Sequence, residues 1–157
     1  MYSAVLTIHS WMRWIALLVA VAATLNALRR PLQSADGRAR LPGRWWDIMF
    51  MLVVDLQMVF GFLLYFGLSP ATKAAMNDMS LAMATPTLRF WAIDHAAGML
   101  IAVALVRVGR VLAAGATSPA AARDRRLVCF ALATIGMIAS IPWPGLANGR
   151  PLFRIGN

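Results

Sequence analysis

Four long apolar segments, separated by polar loops, limit what this chain can fold into. They cover residues 5–28, 45–68, 88–111 and 127–141. A helix of about 20 apolar residues crosses the roughly 30 Å hydrocarbon core of a bilayer, so we interpret each segment as a membrane-spanning helix. The composition agrees, because 61% of the 157 residues are hydrophobic and only 13% are charged, which is unlike a soluble globular protein. A chain of this length has room for a single domain.

The positive charge of the chain is concentrated between these segments. The net charge is +9, and most arginines fall in two loops, at 29–44 and 107–126. Arginine-rich loops mark the cytoplasmic side of a membrane protein, so the charge gives no reason to expect nucleic acid binding. With both loops in the cytoplasm, the termini and the 69–87 connector lie outside. The short connections favour an all-α, up-down-up-down four-helix transmembrane bundle with both termini extracytoplasmic.

The first segment is predicted to stay in the protein as a helix. It lacks the basic start of a secretory signal peptide, and it carries His9 and Arg13. No mature domain follows a small-residue cleavage site, so we do not expect cleavage.

Two histidines, the only ones in the chain, lie within the apolar segments. His9 and His95 are close to the starts of the first and third segments, about 6 Å and 10 Å deep at a helical rise of about 1.5 Å per residue. These two helices run in the same direction, so the depths agree. In a square bundle they face each other across a diagonal of about 11–14 Å. Two imidazoles need roughly this gap to hold one iron, with metal–nitrogen bonds of about 2 Å.

The neighbours of the histidines suit a flat macrocycle such as haem b. Gly98 and Met99 lie one turn from His95, and the missing side chain of Gly98 would leave room for the ring. Arg13 shares the face of the other histidine. Arg89 lies near the outer interface, where it could bind a haem propionate. We therefore predict one haem b in the outer half of the bundle, with the two histidines as its metal ligands.

Each histidine also has a simpler explanation. A histidine in a membrane helix often hydrogen bonds to a backbone carbonyl or a polar side chain of a neighbouring helix. A two-histidine metal site without haem is a further alternative, although the chain has no Glu and its single cysteine, Cys129, lies in an apolar segment. Without a cofactor, the protein would be an accessory or scaffold subunit of a membrane complex, with its arginine loops on anionic lipid headgroups.

Other polar residues lie inside the apolar segments. We expect Arg13 and Asp55 to pair, with Gln57 completing the pair, because either charge alone in lipid would cost several kcal/mol. The pair would fix helix register or contact a quinone headgroup. Asp94 points about 100° away from its neighbour His95 around the helix, towards the fourth helix or a water pocket.

The connector carries Met76, Met79 and Met83 at helical spacing. We expect them to form the apolar face of a short helix lying on the membrane, rather than a copper site. Trp91 lies one turn before His95 on the same face, where it anchors the helix at the interface or packs against the cofactor.

Short motifs spread along the chain carry a resemblance to a known group. They are His9 to Trp14, Asp55-Leu56-Gln57 with Gly61 and Tyr65, Arg89-Phe90 with His95, and Ile141 to Pro144 with Gly149-Arg150-Pro151. With these motifs the chain resembles small bacterial four-helix membrane proteins of the cytochrome b type, loosely similar to cytochrome b561. The resemblance covers nearly the whole chain. It implies a bacterial inner membrane location and axial haem ligation by His9 and His95.

The function expected from the histidines and this resemblance is electron transfer. Larger b561-like proteins use more histidines and hold two haems, whereas this chain has histidines for one. Two histidine ligands fill both axial positions and favour electron transfer over oxygen binding. We therefore predict a membrane b-type cytochrome that exchanges single electrons with a quinone, an external redox protein or a larger respiratory or photosynthetic complex. A quinol- or superoxide-linked oxidoreductase is an alternative that needs an open route to the haem edge.

Overall fold

The computed structural model describes residues 1–33, 39–40 and 43–153, and most of this part of the chain is helical. The helices are α1 (Tyr2–Ala27), α2 (Arg44–Phe62), α3 (Pro70–Asn77), α4 (Met79–Ala84), α5 (Pro86–Arg89), α6 (His95–Ala114) and α7 (Pro119–Ala139). Two π-helical segments complete the series: π1 (Leu63–Leu68) continues α2, and π2 (Phe90–Asp94) joins α5 to α6. In the loop after α1, the two-residue strands β1 (Leu32–Gln33) and β2 (Ala39–Arg40) pair antiparallel.

Three helical stretches are long and apolar enough to cross a membrane, which indicates a multi-pass membrane protein. They are Tyr2–Ala27, Arg44–Leu68 and Pro86–Ala114, and each matches a predicted segment to within three residues at either end. Large aliphatic side chains on their outer faces are exposed, for example Leu18 at 71% and Val111 at 72%. Such faces suit contact with lipid, where apolar surface carries no penalty.

The fourth predicted segment falls on α7, which begins eight residues earlier than the predicted 127. The Ser118 hydroxyl accepts a hydrogen bond from the Ala121 N–H at 3.2 Å, and Pro119 occupies the first turn, two features that favour a helix start. The early start brings the charged residues 123–126 into the helix. As a result, α7 is not among the three helices that are apolar enough over a membrane-spanning length.

The four long helices pack in a ring through their main contacts: α1 with α2, α2 with α6, α6 with α7, and α7 with α1. In this order α1 and α6 lie across the bundle from each other. Buried alanines on one face of α1 allow close helix approach; they are Ala16, Ala20, Ala23 and Ala27. In the same core the rings of Phe50 and Phe130 meet edge to face, with centroids 5.3 Å apart.

The predicted Arg13–Asp55 pair is wrong. Arg13 Nη2 donates to the Leu152 carbonyl oxygen at 2.8 Å, because the chain after α7 folds back against the first half of α1. Asp55 faces α6 instead and pairs with Arg107. The expected third member, Gln57, contacts α1 and is described below with the site.

The connector contains two short helices instead of the single one predicted for its methionines. Asp78 separates α3 from α4, and its carboxylate accepts a hydrogen bond from the Leu81 N–H at 2.8 Å as the N-cap of α4. Met76 is therefore on a different helix from Met79 and Met83. All three side chains are between 44% and 49% exposed, and Met76 and Met79 border the cavity described below. Contact of this surface with the membrane stays a prediction.

Candidate functional site

The two histidines meet inside the bundle. His9 projects from α1 and His95 from the first residue of α6, and their ring centroids are 6.3 Å apart with the ring planes at 79°. One metal ion held by both rings would set the centroids about 6 Å apart, because a metal–nitrogen bond is about 2 Å and a ring nitrogen lies about 1 Å from its ring centre. The spacing observed across the bundle therefore suits a shared metal.

His95 is oriented by a backbone carbonyl at the end of α7. Its Nδ1 lies 2.8 Å from the Ser140 carbonyl oxygen. Because a carbonyl can only accept, Nδ1 donates the proton and Nε2 keeps its lone pair. A histidine that binds a metal commonly donates its other N–H to a carbonyl or carboxylate in this way. Nε2 of His95 is thus prepared to act as a ligand.

His9 is held by the side-chain amide of Gln57 on α2. This amide nitrogen donates to the His9 carbonyl oxygen at 3.0 Å and lies 3.3 Å from His9 Nε2. The other ring nitrogen, Nδ1, is buried and has no hydrogen-bond partner among the described residues. A buried polar atom without a partner is rare in a folded protein and often marks the place of an ion or ligand.

Both rings border one cavity of about 620 Å³, a size typical of sites for cofactors and other small molecules. Its wall is mainly apolar and is formed by α1, α2, both π-helical segments, α6 and the connector helices, with Met137 of α7 and Arg150 beyond it. Met99, which was predicted beside the cofactor, lies on this wall. Trp91 also lies there, with its ring centroid 5.8 Å from that of His95.

A hydrogen bond joins the two π-helical segments beside the cavity. The Tyr65 hydroxyl in π1 donates to the Ala92 carbonyl oxygen in π2 at 2.7 Å. The Thr72 hydroxyl of α3 donates to the Tyr65 carbonyl oxygen, also at 2.7 Å. π-Helical turns occur frequently at functional sites, and here they bring the ends of two long helices together around the histidines.

The sequence predicts that Gly98 faces the space between the imidazoles. In the structure it does not. A Cβ at Gly98 would overlap the Ser140 side chain, so the glycine is needed for close packing of α6 against the end of α7. This packing brings the Ser140 carbonyl to His95. The glycine beside an imidazole is Gly61 on α2, where an added Cβ would lie 3.5 Å from His9 Cε1.

The three described arginines at this end of the bundle differ in their surroundings. Arg13 donates a hydrogen bond to the Leu152 carbonyl oxygen in the segment after α7 and is not on the cavity wall. Arg89 pairs with Asp94 at 3.4 Å and is not on the wall either. Arg150, which the motif near the C-terminus contains, is on the wall and stacks over Trp91.

The donor set fits haem iron better than a bare metal ion. Within the described ranges, no group of three or more His, Cys, Asp or Glu side chains is placed to hold a metal. Haem iron receives four nitrogens from its macrocycle and takes only its axial ligands from the protein. Two imidazoles with the spacing of His9 and His95, on an apolar cavity, meet that requirement.

Comparisons with models of known protein families, with curated proteins and with solved structures find no match. The interpretation of the site therefore depends on its geometry and on the motifs in the sequence.

Sequence reasoning missed the groups that orient the histidines. Ser140 acts through its backbone carbonyl, which has no signature in a sequence. Gln57 does have a signal, since a polar amide in an apolar segment needs a hydrogen-bond partner, usually on a neighbouring helix. The sequence favours a contact of Gln57 with Arg13 and Asp55 instead, because their charges are more costly to bury than an amide.

Proposed function

We propose that this protein is a membrane b-type cytochrome that carries single electrons through one haem held by His9 and His95. The observation that carries the proposal is the pair of imidazoles 6.3 Å apart on one apolar cavity. His9 and His95 would supply both protein ligands of the haem iron, and haem held in this way would exchange electrons without binding oxygen. The chain's own residues supply the ligands, their orientation and the exclusion of water.

The orientation comes from two hydrogen-bonding groups on different helices. The Ser140 carbonyl fixes the tautomer and direction of His95, and the Gln57 amide holds His9 and the backbone next to it. Preorganised ligands bind a metal more tightly, since less side-chain freedom is lost on binding. The apolar side chains on the wall, including Met99, limit access of water to the site.

Electron exchange takes place at the end of the bundle that contains the cavity. The chain has two histidines, so it can ligate one haem in this way and has no second haem for a relay across the bilayer. We therefore propose a quinone or a redox subunit as the exchange partner on that side.

We also propose that α7 is a fourth membrane span and that the arginine-rich end of the bundle is cytoplasmic. The outward side of α7 carries exposed apolar residues one turn apart; they are Val128, Leu132, Ile135 and Ile138. The buried Arg126 in the first half of α7 pairs with Asp47 in the first turn of α2, which lowers the cost of the charge. Up-down-up-down spans in a bacterial inner membrane then place both termini and the histidines on the outer side.

This orientation is tested with two C-terminal fusions. Alkaline phosphatase, which is active only outside the cytoplasm, should be active on this chain, and a fluorescent protein that folds only in the cytoplasm should be dark. The reverse result would contradict the topology without affecting the site.

The haem assignment is tested by the absorption spectrum of the protein purified in detergent from cells supplied with haem. We expect a reduced-minus-oxidised spectrum with Soret and α bands and one haem per chain. His9→Ala and His95→Ala should each remove these bands. Thr134→Ala, which changes a buried residue of α7 that is not on the cavity wall, should keep them and serves as the matched control.

Two outcomes would contradict the proposal. One is a spectrum that survives either histidine substitution. The other is a folded but colourless wild-type protein, which would favour the cofactor-free scaffold subunit instead. Circular dichroism of each variant shows whether the helices have formed.

A further inference from the structure

One guanidinium group on the cavity wall has no acidic partner among the described residues. Arg150 borders the cavity, and the four ion pairs between described residues do not include it. Its guanidinium carbon lies 4.4 Å from the centre of the Trp91 ring. That ring in turn contacts His95, with centroids 5.8 Å apart. A stacked guanidinium keeps its N–H donors, which lie in the plane of the group.

The backbone around Arg150 is fixed by tight turns after α7. The Arg150 N–H donates to the Pro142 carbonyl oxygen at 3.1 Å, and the Gly149 N–H donates to the Leu146 carbonyl oxygen at 2.8 Å. A Cβ on Gly149 would come within 2.6 Å of the Trp143 carbonyl oxygen, so this turn requires glycine. The turns therefore return the chain to the cavity and hold Arg150 beside it.

The other two described arginines at this end already have partners. Arg13 donates to the Leu152 carbonyl oxygen at 2.8 Å, and Arg89 lies 3.4 Å from the Asp94 carboxylate. Arg150 is thus the described arginine that combines a place on the cavity wall with uncommitted charge-bearing donors.

We propose that Arg150 binds a carboxylate of the ligand in this cavity. The inference rests on the proposed function, under which that carboxylate is a haem propionate. A guanidinium can donate two parallel hydrogen bonds to a carboxylate, and this interaction is stronger where water is excluded. The sequence predicts that Arg89 binds a haem propionate, and we assign this role to Arg150 instead.

The test is a haem titration of the full-length protein in a neutral detergent, followed by Soret absorbance. Wild-type protein and Arg150→Gln are each titrated with haem and with its dimethyl ester, in which both propionates are neutral. We expect Arg150→Gln to raise the Kd for haem about tenfold and esterification to raise the wild-type Kd by a similar factor. The variant should bind haem and ester alike, because the charge pair is already lost.

Arg89→Gln is the matched control and should bind haem as the wild type does, since this arginine is paired with Asp94. Arg150→Lys keeps the charge but loses the planar fork, and we expect an intermediate Kd. Where Arg150→Gln does not fold, equal Kd values for haem and its ester in the unaltered protein still overturn the proposal, and an intermediate Kd of Arg150→Lys supports it.

Equal wild-type affinities for haem and ester would overturn the proposal, as would a loss confined to Arg89→Gln. In either case haem would still bind, and the proposed function would stand. Absence of haem binding by the wild-type protein would instead overturn the proposed function, and the role of Arg150 with it.

Discussion

A methyl group added at Gly98 tests how His95 is held. A Cβ at this position would overlap Ser140 Oγ and come within 3.0 Å of Ser140 Cβ, so the hydroxyl has to rotate and the end of α7 has to shift by a few tenths of an ångström. The Ser140 carbonyl, which accepts the proton of His95 Nδ1 at 2.8 Å, moves with it. Overpacking costs about 1–3 kcal/mol, and loss of a group that orients a metal-bound histidine lowers affinity about 10–100-fold. We expect Gly98→Ala to weaken haem binding within that range.

A second substitution separates this explanation from a direct clash with the cofactor. Ser140→Gly removes the side chain that the new methyl group meets but keeps the carbonyl. The double variant Gly98→Ala/Ser140→Gly should therefore recover most of the lost affinity. The assay is haem titration by Soret absorbance, with thermal unfolding of each variant as the control for misfolding.

The reasoning would be refuted by a Gly98→Ala variant that binds haem as tightly as the wild type. It would also be refuted by a double variant as weak as the single one. That second result would mean that Gly98 faces the macrocycle, as the sequence alone had indicated.

Three further predictions concern other contacts of the bundle. Gly61→Ala adds a methyl group at 3.5 Å from the neighbouring imidazole and should bind haem normally, whereas Gly61→Leu should abolish the haem spectrum while circular dichroism shows unchanged helix content. Asp47→Ala removes the carboxylate partner of the buried Arg126 and should lower the free energy of unfolding, measured by SDS titration, by about 3–5 kcal/mol. Asp94 is half-exposed, so Asp94→Ala should lower it by at most about 1 kcal/mol. Equal losses for the two variants would contradict the argument. Gln57→Leu should weaken haem binding about 10–100-fold, and an unchanged Kd would show that its amide does not orient the site.

Hydropathy is enough to place the three long apolar helices, because a bilayer requires an unbroken apolar length of fixed size. It misplaces the start of α7, since the apolar stretch begins at Leu127 but the helix begins at Pro119. The signal for that start, a serine followed by proline, is present in the sequence but is not an apolar signal. Asp78, the residue that separates α3 from α4, is likewise a helix-start signal that hydropathy does not detect.

The encounter of His9 with His95 follows from their similar depths on helices that run in the same direction. The partners of the nearby polar groups could not be found in this way. Arg13 bonds to a backbone carbonyl 139 residues away, and Ser140 also acts through its carbonyl, which every residue type possesses. Matching opposite charges in the sequence therefore predicts a pair of Arg13 with Asp55. In the folded chain Arg13 donates to a neutral backbone carbonyl instead, and no residue type in the sequence indicates such an acceptor.

The central claim is that one iron binds both imidazoles, and electron paramagnetic resonance of the oxidised protein tests it most directly. Two histidine ligands produce low-spin ferric iron, and ring planes close to perpendicular, such as the 79° observed here, produce a strongly anisotropic form of that signal. We predict this low-spin signal for the wild-type protein and a high-spin ferric signal or loss of haem for His9→Ala and for His95→Ala. High-spin iron in the wild-type protein, or a low-spin signal that survives either substitution, would contradict the claim.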